Sequence, residues 1–434
     1  MRPDFLKYIL ICAALWMVAV NAALAEDVTY EQILDDPDNI DLNYQYAQQQ
    51  AVKGDLEQAS AALERILLLQ PNYDNARLFY AIVLFRLDDM EGSKRELELL
   101  QDRPLSPSQQ SEVRKYLAQA VSRSKTTRVF GYVTTGFRVD SNPDLTTESV
   151  VDLNGNQLGN NPQTDVAFVA NAGVRMEHAI PGGAGNFLFI EAAGDLNEQF
   201  QVSEADYADG GAKLGATLFF GDLEVTANGF ADVLSLEGQL YRASYGGNLQ
   251  LSYAVTPRLD VFVSGALGYE DYYRVSEDSA GSARDGWLTR ASTGFSYLTS
   301  ETNKVVARVN GYFKDATFES YSYDALELVL SDTLLLGSGQ YIRGIVSYRW
   351  LDYRQANPIY SPFIAQQDEL FKARLAYGAP VGTLLGFVNM ESPDAIADIN
   401  FQIGVNYLNQ DSNIPNYIAN SLSADVLLTK RFEY

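Results

Sequence analysis

Cysteine and histidine are all but missing. Cys12 and His178 are the single copies of each. One thiol cannot close an internal disulfide, and no Cys/His metal cluster can be assembled from such a sequence. Proline is sparse, at 14 residues. After residue 25 no apolar run reaches the ~20 residues a helix needs to cross a bilayer. A membrane location must therefore come from strands. Basic residues are outnumbered: 32 Lys and Arg stand against 56 Asp and Glu, a net charge of −24. Phosphate neutralisation needs clustered Lys and Arg, so the chain is a poor nucleic-acid binder. The acidity itself reads as solubility and a solvated loop surface.

Tyrosine and glycine are plentiful, at 27 and 32 residues, which suits a β-rich membrane barrel better than a helical enzyme. The N-terminus fits that compartment. Arg2 and Lys7 precede an apolar run from Tyr8 to Val20, and Ala23-Leu24-Ala25 forms a small-residue cleavage site before Glu26. Residues 1–25 read as a secretory signal peptide rather than a membrane anchor. Cys12 follows Ile11 inside that run, which is not a lipoprotein box. Its removal leaves a mature chain without a thiol.

Residues 28–125 read as helices. Ala47 and Ala81, Ala59 and Ser93, Leu63 and Leu97, and Ile66 and Leu100 are each spaced by the tetratricopeptide period of about 34 residues. Lys53-Gly54-Asp55 and Asp88-Asp89 supply the turns within the two units, and Pro71 and Pro104 close them. A further helix, Pro107 to Ser122, places Val113, Tyr116, Leu117, Ala120 and Val121 on one face. Two repeats make a small concave surface. It serves either as a docking groove in the periplasm or as a helical plug or spacer.

From Arg128 the period shifts to two. Asn400, Gln402, Gly404 and Asn406 alternate with Ile399, Phe401, Ile403, Val405 and Tyr407. Fourteen such segments run from 128–140 to 418–434, each close to the length of a transmembrane strand. Tight turns such as Gly221-Asp222, Thr256-Pro257 and Gly337-Ser338-Gly339 follow the even strands, and longer polar loops follow the odd ones. That alternation predicts short periplasmic turns and long external loops. An even count closes without a free edge. The segment from Ala379 to Ile396 misfits, because it follows an even strand yet is long; a periplasmic helix is preferred there over an extra strand. The last residues carry a closing signal. Leu422, Ala424, Val426, Leu428, Lys430, Phe432 and Tyr434 form a mostly apolar parity, opposite Ser423, Asp425, Leu427, Thr429, Arg431 and Glu433. Phe432 and Tyr434 form the barrel-closing signal, for which the cell's barrel assembly machinery is the expected partner. The expected fold class is α+β in two domains: residues 28–125, helical and periplasmic, then residues 128–434, a 14-stranded antiparallel barrel in outer-membrane lipid. A soluble β-sandwich or propeller is the structural alternative.

If the apolar parity faces lipid, the other lines the lumen. One wall is then acidic, with Glu191, Asp195, Glu224, Asp232, Asp260 and Glu270. The facing wall is basic, with Arg290, Arg308, Lys314, Arg343, Arg349, Lys372 and Arg374. Such walls either impose a transverse field on a solute or plug, or pair off into a network that keeps the barrel rigid. His178 falls beside the tight turn after strand two, on the side away from where a barrel hydrolase would hold a paired histidine, so no enzyme is expected. No cofactor or metal is expected. Asp152-Leu153-Asn154-Gly155-Asn156 is close to a calcium loop, but Gln157 stands where that loop requires Gly, and an Asn/Gly turn is the better reading. Asp140-Ser141-Asn142 binds calcium or starts a turn.

Gly131 to Asn142, GYVTTGFRVDSN, resembles the first strand and Asp-Ser-Asn exit of the surface lipoprotein assembly modulator (Slam) family. The order of signal peptide, short tetratricopeptide-like domain and fourteen-strand barrel resembles that family too. The resemblance implies an outer-membrane translocator that delivers proteins, lipoproteins above all, to the cell surface of a Gram-negative cell. It also implies that residues 40–122 receive the client. An exopolysaccharide export porin and a simple diffusion porin with a helical appendage are the alternatives.

Overall fold

The computed structural model describes residues 28–434 except 102, 124, 148, 152–156, 160, 182–184, 276–279, 359–360, 389 and 391–392. The expected signal peptide, with Cys12, and the Asp152–Asn156 loop lie outside the described residues. The chain forms two compact units, one ending at Ala120 and the other beginning at Val121.

The first unit is helical: α1 Tyr30–Asp35, α2 Ile40–Lys53, α3 Leu56–Leu69, α4 Asp74–Arg86, α5 Met90–Glu98 and α6 Pro107–Arg123. The pair α2/α3 is repeated by α4/α5, with both helix starts displaced by the same spacing as the sequence pairs above. Ala47, Ala59, Ala81, Leu63, Leu97, Ile66 and Leu100 are fully buried, so the spaced residues are the core. Ser93 stands where the first hairpin has Ala59, and its hydroxyl donates to the Ala81 carbonyl at 2.8 Å. The hairpin turns match as well. Gly54, after α2, has φ 89°, and Asp88, at the equivalent place after α4, has φ 63°. A left-handed residue ends the first helix of each hairpin. Asn39 caps α2, its side chain accepting from Leu42 N at 3.0 Å.

The second unit is a closed antiparallel barrel of fourteen strands. They are β1 Thr127–Asp140, β2 Asp165–Ala179, β3 Phe187–Gln199, β4 Tyr207–Phe220, β5 Leu223–Leu236, β6 Gln239–Thr256 and β7 Leu259–Tyr272. The rest are β8 Gly286–Ser300, β9 Asn303–Ala316, β10 Tyr323–Leu335, β11 Tyr341–Ala356, β12 Ala365–Pro380, β13 Asn400–Ser412 and β14 Ala419–Glu433. Each strand pairs with the next, and β14 returns to pair with β1. No described helix is long and apolar enough to cross a membrane.

Two connections depart from the sequence pattern. Glu237-Gly238 joins β5 to β6 with only two residues, both at positive φ, so one connection after an odd strand is as tight as those after even strands. Between β12 and β13 lie α7 Val381–Phe387 and α8 Asp394–Ala397. The helical expectation for that stretch holds, and α8 delays the start of β13 to Asn400.

The wall is two-sided. Val133, Phe137 and Val139 on β1, Leu249, Leu251 and Tyr253 on β6, Leu326, Leu328 and Leu330 on β10, and Leu422, Val426 and Leu428 on β14 are all exposed. Each set occupies one parity of its strand. Large apolar side chains exposed all around a closed cylinder form the surface that lipid covers.

Candidate functional site: the charged barrel interior

Residues directly opposite each other in an antiparallel ladder share a face. The ladder therefore carries one face around the barrel. Glu191 opposes Lys213, Asp232 opposes Ser244, Arg290 opposes Tyr312, and Glu327 opposes Arg349. All thirteen charged residues singled out from the sequence fall on the parity opposite the exposed apolar one.

Many close pairings are between neighbours on this inner wall. Glu191 accepts from Arg175 and Lys213, both at 2.9 Å. Asp232 accepts from Arg242 at 3.3 Å and from the Ser244 hydroxyl at 2.5 Å. Glu270 is met by Lys314 at 2.9 Å and by Arg242 and Arg290, each at 3.7 Å. The Glu270 and Lys314 side chains are each 3% exposed. Glu327 is satisfied by Arg349 at 2.9 Å, Asn310 at 3.0 Å and Tyr312 at 2.8 Å. Arg374 grips Asp425 and Asn406.

Among the described residues the remaining charges form no ion pair. Asp195 accepts only from the Asn171 amide, and Glu224 only from the Thr226 hydroxyl. Asp260 lies on the same arc without a cation. On the far arc, Arg343 and Lys372 have no carboxylate partner, and Arg308 stacks its guanidinium 5.3 Å from the Phe262 ring. Asp195, Asp260, Arg308, Arg343 and Lys372 are exposed although they point inward. Exposure on the inner face requires space inside the cylinder.

Four residues outside the two sequence walls act here. Arg175, Arg242, Asp425 and Arg431 lie on the inner face; the first three complete ion pairs, and Arg431 is exposed with none among the described residues. Asp425 and Arg431 sit in the polar parity of the closing strand, which was their only signal.

Glycine makes room for aromatic rings on the inner wall. The Phe230 ring lies where side chains on Gly246 and Gly268 would stand, the Phe262 ring covers Gly294, the Tyr132 ring covers Gly173, and Tyr341 covers Gly378. Rings laid over glycines in this way stay close to the wall.

Phe432 and Tyr434 lie in the seam between β14 and β1. Phe432 opposes Gly131, and its ring occupies the space a side chain there would need. Tyr434 exchanges both backbone hydrogen bonds with Val129 at 2.9 Å. At the other end of the seam, Asp140-Ser141-Asn142 forms a clamp. Asp140 accepts from Asn142 N at 2.9 Å and from the Ser421 hydroxyl. The Asn142 amide donates to the Thr146 and Asn420 carbonyls at 2.9 and 3.0 Å. Ser141 Oγ accepts from Leu422 N at 2.9 Å. The three side chains are engaged in a turn, and no metal-holding cluster occurs among the described residues. His178 lies on the outer parity at the short-turn end, its Nδ1 2.8 Å from the Thr127 hydroxyl.

No family model matches the sequence, and no curated protein matches it. Solved structures align with it at low similarity. A FadL homologue of Pseudomonas aeruginosa is 9% identical with a TM-score of 0.38, covering 73% of this chain and 91% of that one. OprD of Pseudomonas aeruginosa is 9% identical at 0.34, covering 71% and 94%. The Pseudomonas putida toluene transporter TodX is 10% identical at 0.33, covering 72% and 91%. Similarity at this level says nothing of what the chain carries.

Proposed function

We propose that the chain is an outer-membrane conduit that delivers a protein client, a lipoprotein above all, to the cell surface, the helical unit receiving the client in the periplasm. The conduit rests on one observation: exposed charges on the inner face of a barrel whose outer face is greasy. Lipid demands the second feature and water the first. The receiving role is supported by the duplicated hairpin and by Leu34 and Leu68, one repeat apart and 59% and 78% exposed. Exposed leucines on a small repeat surface suit an apolar segment of a client. A photo-crosslinker at Leu68 of the full chain, in cells, is expected to capture a secreted or lipidated protein. Absence of any such adduct, with the barrel folded, counts against this reading.

The same exposed inner charges favour a second reading, a diffusion porin whose helical unit is an appendage. Deleting residues 28–122 separates the two. A porin conducts small ions and solutes unchanged, whereas a translocator loses surface delivery of its client.

A further inference from the structure

At the short-turn end, the link between β12 and β13 is long and folds into α7 and α8 instead of a tight turn. This helical hairpin is pinned at three places. At its base the Val381 N–H donates to the Ile399 carbonyl at 2.8 Å. On one side the Thr383 hydroxyl donates at 2.9 Å to the Ser338 carbonyl, in the turn from β10 to β11. On the other side Asp398 pairs with Lys430 of β14. Lys430 opposes Val133 and shares its outward parity, so this anchor sits on the lipid side of the wall. The two helices also meet, Ala397 lying within 3.4 Å of where a side chain on Gly382 would start. A segment tied to the β10–β11 turn and to β14 runs along the rim between them. What it leaves exposed is apolar: Phe387, Val388 and Met390 are 65%, 62% and 58% exposed, and Ile396 is exposed too. Residues 375–390 hold no charged side chain, in a chain where 20% of residues are charged. From 375 to 398 the only charges are Glu391, Asp394 and Asp398, with no Lys or Arg. On the same three strands the wall is lipid-facing, with Leu375 of β12, Ile403 of β13 and Leu428 of β14 exposed on the outward parity.

We propose that the α7–α8 hairpin is a foot that enters the lipid leaflet at the short-turn end of the barrel, with Phe387, Val388, Met390 and Ile396 at the boundary between headgroups and acyl chains. Lipid is the occupant because the apolar patch continues the lipid-facing wall and is anchored on its outward rim. A contiguous apolar patch in that place leaves water for the bilayer it already borders. Surface segments bind membranes through buried apolar area and through attraction of basic side chains to anionic lipid. The second contribution is missing here, so zwitterionic phospholipid suffices. Held in the leaflet, the foot fixes the height of the β11–β14 side of the barrel against the bilayer. This inference goes beyond the conduit reading and stands without it, since it needs only a barrel seated in lipid.

The test places the full chain, carrying Cys12→Ser, in phosphatidylcholine vesicles, with an environment-sensitive fluorophore on Met390→Cys. Lipid brominated near the headgroup end of its acyl chains is expected to quench the label about threefold or more beyond what aqueous iodide achieves. Replacing part of the lipid by phosphatidylglycerol is expected to leave that quenching unchanged. Phe387→Asp with Val388→Asp is expected to reverse the preference in favour of iodide, while unboiled gel mobility shows the barrel still folded. Iodide quenching of the parent label without lipid quenching overturns the foot. Protection from both quenchers overturns it too, because the chain itself then covers the patch. Equal lipid quenching in the double Asp variant overturns the role given to those side chains, and a requirement for phosphatidylglycerol overturns the apolar mode of binding.

Discussion

Single residues decide whether this wall can close. Gly131 is the plainest case, because the Phe432 ring fills the place of its side chain. Gly131→Val forces that ring off the seam, and overpacking of this kind costs about 1–3 kcal/mol. The folded fraction on unboiled gels is expected to fall, and Phe432→Ala in the same chain is expected to restore much of it. The Asn142 clamp is a second case. Asn142→Ala abandons two backbone carbonyls in a nearly buried place, at a cost of about 1–3 kcal/mol. Urea unfolding of the barrel in liposomes measures the loss. Glu270 gives an asymmetry. Lys314→Met leaves Glu270 with Arg242 and Arg290, but Glu270→Gln strips three cations of the carboxylate they share. Glu270→Gln is therefore expected to be the more damaging, by the roughly 3–5 kcal/mol typical of a broken buried pair. Equal damage in the same urea assay refutes that ranking.

At the scale of elements, the repeated hairpin makes its own test. Leu63 and Leu97 occupy equivalent places, and both are fully buried. Truncation of either to Ala is expected to destabilise the helical unit by about 2–5 kcal/mol, read as early loss of helical circular dichroism while the strand signal persists. Strands and helices were the legible part of the sequence. Period two along β13 and β14, and glycine or proline at the turns, placed all fourteen strands. Position along the chain was legible; pairing was not. Arg374 and Asp425 lie on separate strands, and only the stagger of β12, β13 and β14 brings them together. The same limit hid the shared role of Arg242, Arg290 and Lys314 around Glu270. The tight Glu237-Gly238 link was hidden for another reason: loop length was taken from the polar runs, and β5 and β6 extend into theirs. Asp140-Ser141-Asn142 is ambiguous in sequence because an Asp followed by an Asn serves a cation or a turn equally well; the structure shows a turn, with the Asn142 amide donating to the carbonyls of Thr146 and Asn420.

For the whole molecule, the two compact units carry different commitments. The chain without residues 28–122 is expected to insert and show the same shift between boiled and unboiled mobility as the parent, since each barrel strand pairs only with other barrel strands. Failure to fold without them refutes that independence. The polarity of the interior belongs to this scale too. Among the described residues, Asp195, Glu224 and Asp260 have no ion pair, and they face an arc where Arg308, Arg343, Lys372 and Arg431 have none either. A reversal potential that depends on ionic strength is expected, because screening shortens from about 30 Å at 0.01 M to about 3 Å at 1 M.

The seam between β1 and β14 has a consequence in time. The first strand's partner is the last of the fourteen barrel strands, Ala419–Glu433. Until that strand is made, the one beginning at Thr127 has an unmet edge. A product cut short before it is an open sheet for proteases to remove. The polypeptide must be kept from settling for the whole of that wait.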